Sequence, residues 1–232
     1  MTDPFAVIPD QQVVRVLRRL HEAADRQTGS LLMHYLPQLP RIFTGREVRF
    51  TQAQAHGFYA DKYLPLDREQ AAFAYLCLRA QRAETVVEFG TSFGISTIWL
   101  AAALRDNGGG RVIGTELVPE KAEEALSNVA EAGLSEYVEV RVGDALETLV
   151  DAPRSVDFLL NDGFPMLALD VLKLMTPNIR VGGIVMTDNV GTFKANYQDY
   201  VSFVRDPDNG YLSTLLPYKS GTEYSVKVHE AS

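Results

Sequence analysis

From Thr85 onward, short apolar runs alternate with amphipathic helical segments, and this alternation limits the fold more than any other feature of the chain. The runs are nearly all apolar, which is typical of strands buried on both faces of a parallel sheet. Strict alternation predicts a doubly wound α/β fold with helices on both sides of the sheet. Ligands in such folds bind beyond the carboxyl ends of the strands, so those ends hold the candidate site residues.

The pattern predicts seven strands, of which the last two form a hairpin that adds an antiparallel strand to a mostly parallel sheet. They are expected at Thr85–Phe89, Arg111–Glu116, 137–142, 155–161, 181–187, 211–217 and 222–228. Helices are expected after Asp10, from the capping box at Asp67 to about residue 82, and at 95–105, 119–132, 166–176 and 196–205. Residues 1–65 are expected to form an N-terminal helical cap or oligomerisation segment, with short helices and loops over 28–65.

Composition narrows the class of protein. The chain has 232 residues, of which 46% are apolar and 22% charged, as in ordinary globular proteins. No apolar run is long enough for a membrane span, and no secretory signal is recognisable. Cys77 is the single cysteine, so internal disulfides and cysteine zinc clusters are excluded, and a reducing, cytoplasmic location is expected. The net charge of −8 disfavours a large nucleic-acid footprint.

The first predicted strand runs into a glycine-rich turn, Glu88-Phe89-Gly90-Thr91-Ser92-Phe93-Gly94-Ile95-Ser96. Gly90 and Gly94 permit a tight turn and the close approach of a ligand to the backbone. The helix that follows directs its unpaired N–H groups toward that ligand, which favours a carboxylate or phosphate. The alternative is a βα turn that binds nothing.

Acids follow the next two strands. Glu116, followed by Leu117, is placed to accept hydrogen bonds from the ribose hydroxyls of a nucleoside. Asp144, between Gly143 and Ala145, is placed to accept one from an adenine amine. Asp144 equally suits the N-cap of the next helix. For Glu116 the alternative is a solvent-exposed strand end.

Two more strand ends supply oxygen ligands. Asp162 follows the fourth strand, and Asp188 and Asn189 follow the fifth. Adjacent parallel strands place both ends at the same edge, and carboxylate and amide oxygens suit Mg²⁺, Mn²⁺ or Ca²⁺. The alternative is two independent loop acids that make turn hydrogen bonds.

With these motifs, the stretch 65–228 resembles a class I S-adenosylmethionine-dependent methyltransferase with a Rossmann-like fold. Within that class it is similar to the cation-dependent O-methyltransferases of the catechol and caffeoyl-CoA type, and 66–232 would be the cofactor-binding domain. The most specific parts are 87–97, 157–162 and 186–190. The resemblance implies methyl transfer to a hydroxyl of a small, phenolic or natural-product acceptor, assisted by a divalent cation such as Mg²⁺ or Ca²⁺. It also implies a homodimer.

The resemblance assigns residues to three roles. Asp162, Asp188 and Asn189 would bind the metal, and Glu223 would contact the acceptor. S-adenosylmethionine would be bound by the strand-end residues Glu88, Gly90, Thr91, Ser92, Gly94, Ser96, Glu116, Leu117, Gly143, Asp144, Ala145 and Asp162.

One position departs from the family pattern. The lysine usual three residues after the first metal aspartate is Pro165 here. His34 and His56, in the N-terminal segment, are alternative candidates for the general base.

Three other functions stay open at this point. A nucleotide-dependent oxidoreductase would also use Glu116, although the glycine spacing is not that of such enzymes. A transfer RNA hydroxyuridine methyltransferase would share the fold, but the chain has no basic run. A methyltransferase-like domain that is metal-independent or non-catalytic would explain Pro165.

Overall fold

The computed structural model describes residues 3–48, 57–59, 61–218 and 220–230. At its centre is a sheet of seven strands: β1 (Thr85–Phe89), β2 (Arg111–Glu116), β3 (Val138–Val142), β4 (Val156–Asn161), β5 (Ile179–Thr187), β6 (Tyr211–Leu216) and β7 (Thr222–Lys227). Their order is β3-β2-β1-β4-β5-β7-β6. Strands β1 to β5 pair in parallel, and β7 runs antiparallel to β5 and β6. The predicted mostly parallel sheet with an antiparallel C-terminal strand is confirmed.

The described helices are α1 (Gln11–Tyr35), α2 (Leu39–Phe43), α3 (Arg68–Gln81), α4 (Ile95–Asn107), α5 (Pro119–Glu131), α6 (Ala145–Thr148), α7 (Ala168–Met175) and α8 (Gln198–Arg205). Their starts follow local chemistry. Asp10 caps α1 by accepting from the Gln12 N–H at 2.7 Å. Asp67 and Gln70 form the predicted capping box of α3. The short helix α6 follows Asp144, where the sequence left helix capping as the alternative.

Two apolar cores cover the two faces of the sheet, because successive side chains of a strand point to opposite sides. Val86 and Phe158 pack with α1, α3, α4 and α5 on one face. Val87 and Leu159 pack with α6, α7 and α8 on the other. This explains the continuous apolar runs of the sequence, since both faces of the central strands are buried.

Helix α1 departs from the sequence prediction. It continues for 25 residues to Tyr35 and so covers part of the segment expected to be short helices and loops. Gly29 does not interrupt it, and a Cβ at that position would meet nothing within 4 Å. The first half of α1 buries Val13, Leu17 and Leu20 in the same core as Trp99. Within the described part of the chain, no helix combines the length and the apolar character needed to cross a membrane.

Candidate active site

The carboxyl ends of β1 to β5 open onto a cavity of about 830 Å³. This volume lies in the upper part of the range for small-molecule sites. Eight of the twelve predicted cofactor residues line the cavity: Gly90, Ser92, Glu116, Leu117, Gly143, Asp144, Ala145 and Asp162. The predicted metal ligands Asp188 and Asn189 line it as well. The structure therefore brings the two predicted groups of residues to one cavity.

Gly90 is the point where the ends of β1 and β4 come closest. Its φ is +99°, and a Cβ there would lie 2.6 Å from the carbonyl oxygen of Asp162 and 2.9 Å from the Cα of Gly163. Both obstacles are backbone atoms, which cannot move aside as a flexible side chain can. Glycine is therefore required both by the backbone conformation and by the contact.

The other four predicted cofactor residues do not line the cavity: Glu88, Thr91, Gly94 and Ser96. Glu88 is fully buried, and its Oε2 accepts hydrogen bonds from the hydroxyls of Thr91 (3.1 Å) and Thr97 (2.5 Å). Burial raises the pKa of the Glu88 carboxyl, and these hydroxyls oppose the rise. Gly94, with a φ of +81°, is the N-cap of α4, which begins at Ile95.

Glu116 is held by two backbone donors. Its Oε2 accepts from the Ser92 N–H at 2.8 Å, and its Oε1 accepts from the Val118 N–H at 2.9 Å. The Ser92 bond requires a left-handed backbone at Ser92, whose φ is +50°. Each carboxylate oxygen keeps a free lone pair, so Glu116 can still accept from ligand hydroxyls.

Asp144 performs the local role that the sequence left open. Its Oδ1 accepts from the Leu146 N–H at 2.9 Å and caps α6. Asp144 also lines the cavity. Capping and ligand contact are therefore compatible at this position.

Asp162 and Asp188 form the acidic end of the cavity. Burial and the neighbouring charges of Asp188 and Glu88 hold the pKa of Asp162 well above its usual value. Burial also raises the pKa of Asp188, against hydrogen bonds from Ser220, the Asn189 N–H and Gln70. Asn189 has a φ of +64°, and its Nδ2 donates to Asp188 Oδ2 at 3.0 Å. Charge repulsion contributes to both rises, from Asp188 at Asp162 and from Asp67 at Asp188.

Gln70 and Ser220 are cavity residues that the sequence analysis did not assign to the site. The Gln70 Nε2 and the Ser220 Oγ each donate to Asp188 Oδ1 at 2.5 Å. The same Nε2 also donates to the hydroxyl of Thr222. The capping-box motif explained Gln70 locally, and the motif says nothing of a partner 118 residues away.

The donor set fits a hard cation. Within the described ranges, no group of three or more His, Cys, Asp or Glu side chains is placed to hold a metal ion. The predicted set differs because it combines the carboxylates of Asp162 and Asp188 with an amide. Turning the Asn189 amide would present its oxygen, and amide orientation follows the ligand that is bound. All three donors would then be oxygens, as Mg²⁺ and Ca²⁺ require.

Glu223 has a different environment from the one that the resemblance implies. It is fully buried on β7 and does not belong to the cavity lining. Its two oxygens accept from Arg205 Nε and Nη2, each at 2.7 Å. The neighbouring Thr222 faces α3, so the alternation of the strand turns Glu223 toward α8.

The two histidines proposed as bases are not shown at the site. His34 does not line the cavity, and its ring stacks on Phe58 with centroids 3.6 Å apart. His56 lies outside the described residues. A third histidine, His21, does line the cavity. Burial lowers the pKa of His21 to about 4 and keeps it neutral.

Four aromatic rings belong to the cavity lining: Tyr35, Tyr59, Phe164 and Phe193. The Tyr59 hydroxyl donates to the Tyr35 oxygen at 3.0 Å. Phe193 packs against Tyr35, and Phe164 against Tyr59, with centroids 5.9 and 6.4 Å apart. The sequence did not predict that these aromatic rings line one cavity, because they come from segments that are distant along the chain.

Among the charged residues of the described cavity lining, acids outnumber cations. Asp25, Asp67, Glu116, Asp144, Asp162 and Asp188 face two cationic residues, Arg68 and Lys121. Arg68 is paired with Asp25 at 2.5 Å. Low-dielectric walls of one sign concentrate the field, so the cavity favours positively charged ligands.

Comparison with known proteins agrees with this geometry. The family described as "Methyltransferase domain" matches residues 87–190. A catechol O-methyltransferase of Mycobacterium tuberculosis is 34% identical over 128 residues, which are 55% of this chain and 57% of that protein. A catechol O-methyltransferase of Niastella koreensis is 40% identical over 136 residues, which are 52% of this chain and 56% of that protein. The chain thus spans a little over half the length of these relatives.

A solved structure resembles this chain over a longer stretch. The O-methyltransferase from Bacillus cereus in complex with SAH has a TM-score of 0.65 and 26% sequence identity. The superposition covers 75% of this chain and 87% of that one. With the strand order and the cavity at the strand ends, these matches show that the chain resembles the class I methyltransferases, and among them the O-methyltransferases of the catechol and caffeoyl-CoA type.

Proposed function

We propose that the protein transfers a methyl group from S-adenosylmethionine to a hydroxyl oxygen of a small organic acceptor. One observation supports this most directly: eight of the twelve predicted cofactor residues and the acid set Asp162, Asp188 and Asn189 line the same cavity. In the reaction, the acceptor oxygen forms a bond to the methyl carbon while the sulfur–carbon bond breaks. The hydroxyl proton is lost, and a neutral thioether remains.

The charge of the cavity suits this cofactor. A sulfonium carries one positive charge, and the described lining has six carboxylates against two cations. One buried polar atom at the turn after β1, Ser92 Oγ, has no hydrogen-bond partner among the described residues. Buried polar groups without a partner are costly, so polar groups of a ligand would stabilise this turn.

We further propose that Asp162, Asp188 and Asn189 bind a divalent cation. Such a cation lowers the pKa of an acceptor hydroxyl and orients it toward the methyl group. The raised pKa values of both aspartates support the proposal, because a bound positive charge would offset the cost of burying the two carboxylates. Pro165 supplies no base at the position of the family lysine, so proton removal depends on the acid set and on solvent.

The aromatic lining supports a phenolic or other aromatic acceptor. Tyr35, Tyr59, Phe164 and Phe193 line the same cavity as the acid set. Aromatic rings stabilise a flat ligand by stacking and edge contacts. The Tyr hydroxyls stay protonated, since burial raises the pKa of both Tyr35 and Tyr59. Because Tyr59 already donates to Tyr35, the Tyr35 hydroxyl is the one that can donate to an acceptor oxygen.

Calorimetric titration tests the cofactor and the cation separately. S-adenosylmethionine is titrated into the wild type with and without Mg²⁺, then into Asp188→Ala and the control Asp199→Ala, an exposed acid on α8. We expect cofactor binding in all three proteins and a cation site that only Asp188→Ala loses. A panel of catechols and phenols then tests methyl transfer. Absence of cofactor binding would refute the proposed function; binding without a cation site would leave a metal-independent enzyme.

The cytoplasmic location, the homodimer and the domain boundary at residue 65 stay predictions. The first rests on the single cysteine, the second on the resemblance, and the third on the change of pattern along the sequence.

A further inference from the structure

We propose that Gln70 is a positioning residue for the cation site, which it serves by holding one oxygen of Asp188 so that the other faces the ligand. This inference rests on the proposed cation site. Gln70 is itself no ligand in this view. It acts through Asp188, together with Ser220.

Gln70 is fully buried and uses both ends of its amide. Its Oε1 accepts from the Asp67 N–H at 3.0 Å, which fixes the side chain to the first turn of α3. Its Nε2 then points away from the helix and donates to Asp188 Oδ1 at 2.5 Å. The capping bond thus sets the direction of the second bond, since the amide plane is rigid.

Oδ1 of Asp188 is also the acceptor for the Ser220 hydroxyl, at 2.5 Å. Two strong donors occupy this oxygen, and neither contacts Oδ2. The partner of Oδ2 is Nδ2 of Asn189, a residue of the proposed site itself. The asymmetry assigns the two oxygens different tasks: Oδ1 is anchored to α3 and the loop before β7, and Oδ2 is left for the cation.

A neutral donor is the suitable anchor at this position. A lysine or arginine in place of Gln70 would neutralise Asp188 and compete with the cation. An apolar residue would leave Oδ1 buried and without this bond. The partners of metal ligands orient them in this way, and their loss costs about 10- to 100-fold in metal affinity.

A structural explanation predicts something different. Gln70 also joins α3 to β5, and its removal could loosen that contact without any specific effect on the site. Gln81 provides the matched control, because it lies at the other end of α3 and donates to the Gly182 carbonyl of β5 at 2.8 Å. Gln81 bonds to β5 itself, and Gln70 bonds to Asp188, the residue after β5. The two glutamines therefore tie the same helix to opposite ends of this strand.

The test measures Mn²⁺ binding to the full chain by calorimetry and by the electron paramagnetic resonance signal of the free ion. We compare the wild type with Gln70→Met, Gln81→Met and Ser220→Ala. Gln70→Met is expected to lower Mn²⁺ affinity about 10- to 100-fold, and Ser220→Ala to lower it by a smaller factor. Gln81→Met is expected to bind within twofold of the wild type. S-adenosylmethionine affinity without Mn²⁺ is expected to stay within twofold in all variants.

Each other outcome is decisive. Equal Mn²⁺ affinity in Gln70→Met and the wild type would overturn the inference and leave the cation site standing. An equal loss in Gln70→Met and Gln81→Met would also overturn it, in favour of general loosening. If Gln70→Met does not fold, Ser220→Ala decides, because it removes a donor to the same oxygen and leaves the helix cap intact; unchanged affinity there would refute the idea. A wild type that binds no Mn²⁺ would overturn both the inference and the proposed cation site, while cofactor binding would still test the methyltransferase.

Discussion

Gly90→Ala is the substitution whose cost the structure defines most closely. A side chain at this φ of +99° is strained, which costs about 1–2 kcal/mol. The new Cβ would also lie 2.6 Å from the Asp162 carbonyl oxygen, and such overpacking costs about 1–3 kcal/mol more. We therefore expect Gly90→Ala to lower the free energy of unfolding by about 2–5 kcal/mol.

Gly108→Ala separates the two contributions. Its φ of +106° is nearly the same, but a Cβ there would meet nothing within 4 Å. Urea unfolding followed by circular dichroism should show a loss of only about 1–2 kcal/mol for this control. Any entropic gain from replacing glycine is common to both variants and cancels in their difference. Equal losses would refute the close contact between the ends of β1 and β4.

Three further outcomes are expected. Glu116→Ala removes an acceptor held by two backbone N–H groups and should weaken S-adenosylmethionine binding about 10- to 100-fold by calorimetry, since charged hydrogen bonds contribute about 1.5–3 kcal/mol. Burial lowers the pKa of His21 to about 4, and its Nε2 accepts from Trp99. The free energy of unfolding should therefore fall as pH drops from 6.5 toward 4, because only the unfolded chain binds the proton in this range. His21→Gln should flatten this part of the pH–stability curve. Arg205→Leu leaves the buried Glu223 with one fewer partner and should destabilise by about 1–3 kcal/mol in urea, a loss that Glu223→Leu should partly restore.

The sheet was predictable because its strands are short apolar runs that end at glycine or at an acid. Both ends of β1 and β2 were predicted to the residue. Helix α1 was harder, since the prolines of residues 28–65 suggested short helices and loops, whereas the helix continues to Tyr35. Packing of its first half against Trp99 anchors the helix, and such tertiary contacts override local signals.

The residues of the candidate site were predictable only where they lie at the end of their own strand. Asp162, Asp188 and Glu116 were found because parallel strands end at one edge. Gln70 was missed because its second partner is distant in sequence. Glu223 was assigned by its nearness to the turn at Gly221, yet strand alternation points it to the other face.

Residues with a strained backbone lie at the same edge of the sheet as the proposed ligand sites. Four described non-glycine residues have a positive φ, and two of them, Ser92 and Asn189, line the cavity. Ser92 needs its conformation to donate to Glu116, and Asn189 places its amide beside Asp188. Such conformations cost about 1–3 kcal/mol each and persist where the surrounding structure requires them.

The acidic end adds a second cost, because burying two carboxylates together opposes folding of the ligand-free protein. The sign follows from linkage: a carboxyl whose pKa is raised in the folded state makes folding less favourable as pH rises through that pKa. A positive ligand bound to the folded state alone reverses this trend. Strain and repulsion thus oppose folding at the edge of the sheet where we propose that a cationic cofactor and a divalent ion bind.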